Sequence, residues 1–363
     1  MKDPRIVKLA KNLLTHSVKL KKGQAIIIEA NYRARELVVE LVRQVYAIGA
    51  LPFVRLSEEQ VSREILQGIT EELSKRMCKY TLPMFEECDA YIGIYSARNA
   101  FESADVPPEN KVLHSKFYGK PIHIDTRCAK GNWVILDWPS PSMAQMAQMS
   151  YEAFEDFYFD VCTMDYAKMD KAMQPLKALM EKTDKVRIVG AGTDLSFSIK
   201  GIPAVICAGE CNIPDGEIYT APVKNSVNGK IKFNVPSMRN SIIHNDITLE
   251  FKDGKIIKAT SSNTKQLNKE LDCDEGGRYL GEFAFGVNPY ITTPMNNTLF
   301  DEKIAGSIHL AIGNSYENAP NGNKSQLHWD LVFQGGKIYM DDVLIRNNGK
   351  FTSKELKLLE EIK

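Results

Sequence analysis

A chain of 363 residues with 46 basic and 46 acidic side chains carries no formal net charge, so neither a nucleic acid backbone nor an anionic membrane surface has an electrostatic hold on it. No apolar run approaches the ~20 residues of a membrane span, and the start, Met1-Lys2-Asp3-Pro4-Arg5, leads into an amphipathic segment with Lys8 and Lys11 rather than into a signal peptide's apolar core. The length predicts roughly two domains at ~100 to 200 residues each, and 7 cysteines with no C-x-x-C pair predict reduced thiols in a cytoplasmic protein.

From Arg5 to His16 the apolar residues Ile6, Leu9, Ala10, Leu13 and Leu14 recur at helical spacing, and Gly23 precedes a strand-like run from Gln24 to Glu29. The alternation repeats with a helix over Ala34 to Ile48, which ends near Gly49, and a strand over Leu51 to Leu56. Ser57 with Glu58 and Glu59 marks a helix start, Glu71 to Phe85 a further helix, and Ala90 to Tyr95 a strand. After Val112 to Tyr118, the runs Pro121 to Asp125 and Asn132 to Leu136 predict further short strands. Pro139-Ser140-Pro141 then opens a helix through Met143, Met146 and Met149, read as core packing. A long helical region spans Tyr151 to Glu181. Strands alternating with helices predict a mostly parallel sheet, hence an N-terminal α/β domain over residues 1–184.

From Lys185 the pattern changes to strands and turns. Asn228-Gly229, Asp253-Gly254 and Gly335-Gly336, each followed by lysine and isoleucine, predict hairpins through type I′ turns. Only Asn263 to Leu271 and Ser353 to Lys363 read as helical, so residues 185–363 form a β-rich α+β domain with an antiparallel or mixed sheet.

This second half also concentrates polar residues inside apolar strands. On a period of two, Glu282 shares a face with Leu280 and Ala284, and His309 with Ser307 and Ala311, while phenylalanines and isoleucines take the opposite faces. His328 and Asp330 point the same way. A carboxylate buried in such a strand demands a metal or an arginine nearby, whereas a single strand histidine such as His309 is more often a satisfied or surface residue. Together Glu217, Glu282, Glu302, His309, His328 and Asp330 form a set of hard carboxylates and imidazoles suited to zinc, cobalt or manganese. Other chemistries lack their marks: Gly190-Ala191-Gly192 has no third glycine or following helix for a dinucleotide loop, and neither a G-x-S-x-G elbow nor a P-loop occurs. Cys207 and Cys211 have the wrong spacing for a zinc knuckle and read as structural thiols.

At these residues the sequence resembles the aminopeptidase T family of dinuclear metallopeptidases, nearly end to end. The most specific matches are Asn212-Ile213-Pro214-Asp215-Gly216-Glu217-Ile218-Tyr219-Thr220-Ala221-Pro222, Leu280-Gly281-Glu282, Phe300-Asp301-Glu302, His309 to Gly313, Tyr316, and His328-Trp329-Asp330. The resemblance implies that Glu217, Glu282, Glu302, His309, His328 and Asp330 are ligands of two divalent ions per chain. Glu282 would bridge the ions and Tyr316 would be the catalytic tyrosine, which makes Tyr316 and Glu282 the candidate catalytic residues. It also implies a C-terminal catalytic domain, a homodimer, and peptides with a free N-terminus as substrates. A metal-dependent hydrolase of another amide, or a catalytically silent small-molecule-binding protein of the same fold, are the alternatives. Two departures stand out: the seven-residue step from Glu302 to His309 is longer than the family's, and the segment from Tyr316 to His328 is shorter.

Overall fold

The computed structural model describes residues 3–240 and 242–362. The chain divides into two compact units, Met1–Thr163 with Gly209–Ile213, and Met164–Ala208 with Pro214–Lys363. Among the described residues no helix is long and apolar enough to cross a membrane.

The first unit is built on a parallel sheet with strands in the order Leu51–Ser57, Ala25–Asn31, Ala90–Tyr95, Trp133–Asp137 and Asn212–Ile213. Ile26, Ile27 and Ile28 are all buried, as a strand covered on both faces requires. Several of its helices begin at side-chain caps: Asp3 accepts from the Arg5 N–H and Thr70 from the Leu73 N–H. Gly49 closes the helix Arg35–Ile48 at a φ of 78°, a left-handed position that suits glycine.

Two local expectations fail here. Pro121 to Asp125 is not a strand but lies within a wide-turn π-helical stretch, Ser115–Cys128. Tyr118 and Ile122 on that helix are buried with Ile27, Phe85 and Tyr91, so packing against the sheet overrides the strand-like look of its isoleucines. The helical region from Tyr151 also breaks, into Tyr151–Cys162 and Tyr166–Lys182, with Asp165 capping the second helix through the Lys168 N–H. That second helix buries Met169, Met173, Leu176 and Met180 and packs on the strands Val205–Cys207 and Glu217–Thr220, within the second unit.

Among the described residues the second unit holds two large antiparallel sheets and a small two-stranded one, Ser237–Arg239 with Ile242–His244. One has eight strands, running from Lys255–Thr260 at one edge to Lys350–Phe351 at the other. The second has five, in the order His328–Gln334, Ser307–Gly313, Leu280–Gly286, Glu217–Thr220 and Val205–Cys207. Asp253-Gly254 is a hairpin turn with φ of 48° and 84°. Asn228-Gly229 is instead part of a strand, Asn228–Lys232, paired on both sides; a side chain at Gly229 would strike the Asp194 carbonyl at 2.2 Å, which explains the glycine without a turn. Gly335-Gly336 does turn the chain, but it joins strands of different sheets rather than closing a hairpin. The C-terminal helical stretch shrinks to one turn, Lys354–Lys357, and a 3₁₀ turn, Leu358–Glu360; Lys363 lies outside the described residues.

One face of the five-stranded sheet is apolar. Phe283 meets Phe197 of the larger sheet at 5.1 Å between ring centres and Phe285 at 5.2 Å. The buried Arg346 threads this side, lying over Phe351 and donating to the carbonyls of Ser307 and Gly286 at 2.6 and 3.0 Å. The other face carries the site.

Candidate metal centre

Registry across four strands assembles the polar face. Ala284 pairs with His309 on one side and Tyr219 on the other, Ala311 pairs with both Glu282 and Asp330, and Gly286 pairs with Glu217. Because side chains alternate along each strand, Glu217, Tyr219, Glu282, His309, His328 and Asp330 all project from the same side. Leu280 leaves that row: a bulge at Gly281 sets it opposite Ile312, on the apolar side, so the shared face expected for Leu280 and Glu282 is not formed. A Cβ on Gly281 would lie 2.1 Å from the Asn314 carbonyl, so the bulge needs glycine.

The donor atoms fall into two groups that share Glu282. Glu217, Glu282 and His309 form one, and Glu282, His328 and Asp330 the other, each with ligand-type atoms within 4.8 Å of one another. His309 Nε2 lies 3.1 Å from Glu282 Oε1 and 3.2 Å from Glu217 Oε2. His328 Nε2 lies 3.5 Å from Asp330 Oδ1 and 3.6 Å from Glu282 Oε2. Both rings are oriented from behind. His309 Nδ1 donates to the Glu302 carbonyl at 3.1 Å and His328 Nδ1 to the Asn314 carbonyl at 3.0 Å; a carbonyl can only accept, so each Nε2 is left to face the carboxylates.

Glu302 is placed differently. It ends the one-turn helix Thr298–Asp301, and its carboxylate lies 2.5 Å from Lys303 Nζ. Lys303 is fully buried; its ammonium also lies 2.7 Å from Glu217 Oε1 and 3.8 Å from Asp215 Oδ1. The loop carrying both residues comes so close to the Glu282 strand that a Cβ on Gly286 would be 2.5 Å from the Ile304 carbonyl and 2.9 Å from that of Glu302. Thus five of the six ligand candidates converge, and the sixth contributes its carbonyl to His309 while its carboxylate turns to lysine.

Charge explains the protonation states. Burial alone would lower the pKa of Lys303 and of His309, but the carboxylates around each raise both well above their ordinary values. His328 is likewise brought up to about 10, against burial, by Asp330 and Glu282. Burial raises Glu282, with His309 opposing and Glu217 and Asp330 adding. Even so, Oε2 of Glu217 and Oε2 of Glu282 are buried without a well-formed hydrogen bond, with only the imidazoles of His309 and His328 3.2 and 3.6 Å away. Orphaned carboxylate oxygens at the meeting point of two imidazoles are what a cation would satisfy, so the donor set fits divalent metal.

Tyr316 sits at the mouth. Its ring centre is 4.7 Å from that of His328 and 5.5 Å from that of Tyr219, and it is 44% exposed. The loop that carries it is pinned by Asn321, which donates to the carbonyls of Pro222 and Leu280, and by the buried Asn323, which donates to those of Gly276 and Gly313.

Sequence reasoning missed Lys303, Asp215 and Tyr219 as members of this cluster, and read Cys207 only as a structural thiol. Cys207 pairs with Glu217 in register and forms a further donor group with Asp215 and Glu217. Nothing periodic distinguishes Lys303 from a surface lysine.

Comparison with known proteins gives matches along nearly the whole chain. The family described as thermophilic metalloprotease (M29) matches residues 2–351. Aminopeptidase PepS of Streptococcus thermophilus is 27% identical over 93% of this chain and 93% of its own length. Aminopeptidase T of Thermus thermophilus is 25% identical over 92% of this chain and 93% of its own. The solved structure titled wild-type AmpT from Thermus thermophilus superimposes with a TM-score of 0.84, covering 96% of this chain and 99% of that one at 21% identity, and so shares the fold.

Proposed function

Since this chain belongs to the thermophilic metalloprotease family M29, we propose that it is a metal-dependent aminopeptidase that releases N-terminal residues from peptides. The observation that carries the reading is the pair of donor groups sharing Glu282, each with an orphaned carboxylate oxygen. The named aminopeptidases among its relatives support the choice of substrate.

Glu217, Glu282 and His309 would hold one divalent ion, and Glu282, His328 and Asp330 the other, with Glu282 between them. Zinc, cobalt and manganese all suit such a set of carboxylates and imidazoles. When bound, two ions supply an acidified water, polarise the scissile carbonyl and anchor the free α-amine. The chain's own part is arrangement. The carbonyls of Glu302 and Asn314 fix which imidazole nitrogen faces inward, and Tyr316 offers a phenol donor beside His328 where a substrate carbonyl would lose its double bond. Cysteine usage supports a cytoplasmic setting, and the family likeness supports a homodimer.

Aminoacyl anilides and their N-acetylated twins test the proposal. The metal-loaded protein should cleave the free-amine substrates and leave the acetylated ones intact, and chelation should stop turnover. Equal cleavage of both would mark a hydrolase of other amides, and no cleavage of either a silent binding protein.

A further inference from the structure

Among the described residues there are three groups of metal-type donors at this site, not two. The third, Cys207 with Asp215 and Glu217, is not free for an ion, because the buried ammonium of Lys303 stands 2.7 Å from Glu217 Oε1 and 3.8 Å from Asp215 Oδ1. The same nitrogen is 2.5 Å from Glu302 Oε1. An ammonium is a compact cation with three donors, and here three carboxylates surround it in a dry setting. Its effect on each neighbour differs. Glu217 keeps one oxygen, Oε2, turned toward His309. Glu302 belongs to neither donor group around Glu282, and its backbone carbonyl rather than its carboxylate reaches His309.

We propose that Lys303 is a built-in cation that fills the inner end of the site, withdrawing Glu302 from the ligand set and leaving Glu217 to bind an ion through a single oxygen. The ions would then be held by five residues, Glu217, Glu282, His309, His328 and Asp330. Five carboxylates face one ammonium in the whole cluster, a charge that two divalent ions balance. Lys303 is on this account a positioning residue: it touches ligands, not substrate. This inference rests on the metal reading given above.

Metal affinity, measured by chelator competition with zinc and cobalt on the full chain, tests it in two variants. Glu302→Gln keeps Lys303 paired with Glu217 and Asp215; it should hold as many ions as wild type with dissociation constants within about threefold, less than the ~10- to 100-fold that even an outer-sphere partner costs. Lys303→Met removes a positive charge close to the ligands, so it should bind the more weakly held ion roughly tenfold tighter or more. A lysine with only a structural role would leave affinity unchanged or weaken it. Loss of an ion from Glu302→Gln, or weakening of ~100-fold, would make Glu302 a ligand and overturn the inference; so would unchanged or weaker binding in Lys303→Met. Should Lys303→Met fail to fold, the Glu302→Gln comparison still decides. Wild-type protein that takes up no divalent ion would sink the metal reading and this inference together, whereas ion-loaded wild type with an ion-deficient Glu302→Gln sinks the inference alone.

Discussion

Glu282→Gln is expected to abolish peptide hydrolysis while leaving the fold intact. Glu282 is the residue common to both donor groups, and its two oxygens face different histidines, Oε1 toward His309 and Oε2 toward His328. Glutamine keeps the size and one acceptor oxygen but loses the negative charge that lets two cations lie close together. Outer-sphere partners of a metal commonly cost ~10- to 100-fold when changed, so loss of a shared ligand should lower kcat/KM by ~100-fold or more. Stability should move the other way. Burial first, then the neighbouring charges of Glu217 and Asp330, raise Glu282 above its ordinary pKa despite His309. A carboxyl whose pKa is higher folded than unfolded costs stability once the pH exceeds its unfolded value, and at neutral pH that cost is present. The metal-free variant should therefore melt at or above the wild-type temperature, and the rise in melting temperature on adding metal should shrink. Near-normal turnover with full metal content would remove Glu282 from the shared position.

Tyr316→Phe should separate chemistry from packing. The ring lies against His328 and Tyr219 at the mouth of the site, on a loop pinned by Asn321 and Asn323. Phenylalanine keeps those ring contacts and removes one donor. As a peptide carbonyl becomes tetrahedral its oxygen gains negative charge, and a donor that strengthens its hydrogen bond at that moment lowers the barrier selectively. Removal of such a donor costs on the order of 100-fold in kcat, with KM and metal content near wild type. A hydroxyl that merely packs would cost ~1 kcal/mol of stability and little rate. A kcat within a few-fold of wild type would return Tyr316 to the scaffold.

Much of this face was legible because strand periodicity is local. Glu282, His309, His328 and Asp330 interrupt apolar runs at alternate positions, and that alternation alone predicts which way each side chain points. What periodicity cannot supply is registry: the pairing of Ala311 with both Glu282 and Asp330 depends on long-range strand neighbours and on the bulge at Gly281. Glu302 and Lys303 lie in no strand, so nothing in their spacing says that one buries an ammonium and the other turns to it. The same limit explains the errors in the scaffold. Ile122 and Ile124 look like a strand until Tyr118 and Ile122 are seen packed on a sheet, and Asn228-Gly229 carries turn residues inside a strand flanked on both sides. Conversely Asp341-Asp342 and Asn348-Gly349, passed over in the sequence, adopt positive φ and close hairpins in the eight-stranded sheet.

If Glu282 joins two ion sites into one centre, the number of ions that each chain holds is two. Protein loaded with excess zinc, cobalt or manganese, freed of loosely held metal and subjected to elemental analysis should plateau at two ions per chain. A plateau at one, whichever metal is offered, would contradict the shared centre and leave a one-metal hydrolase.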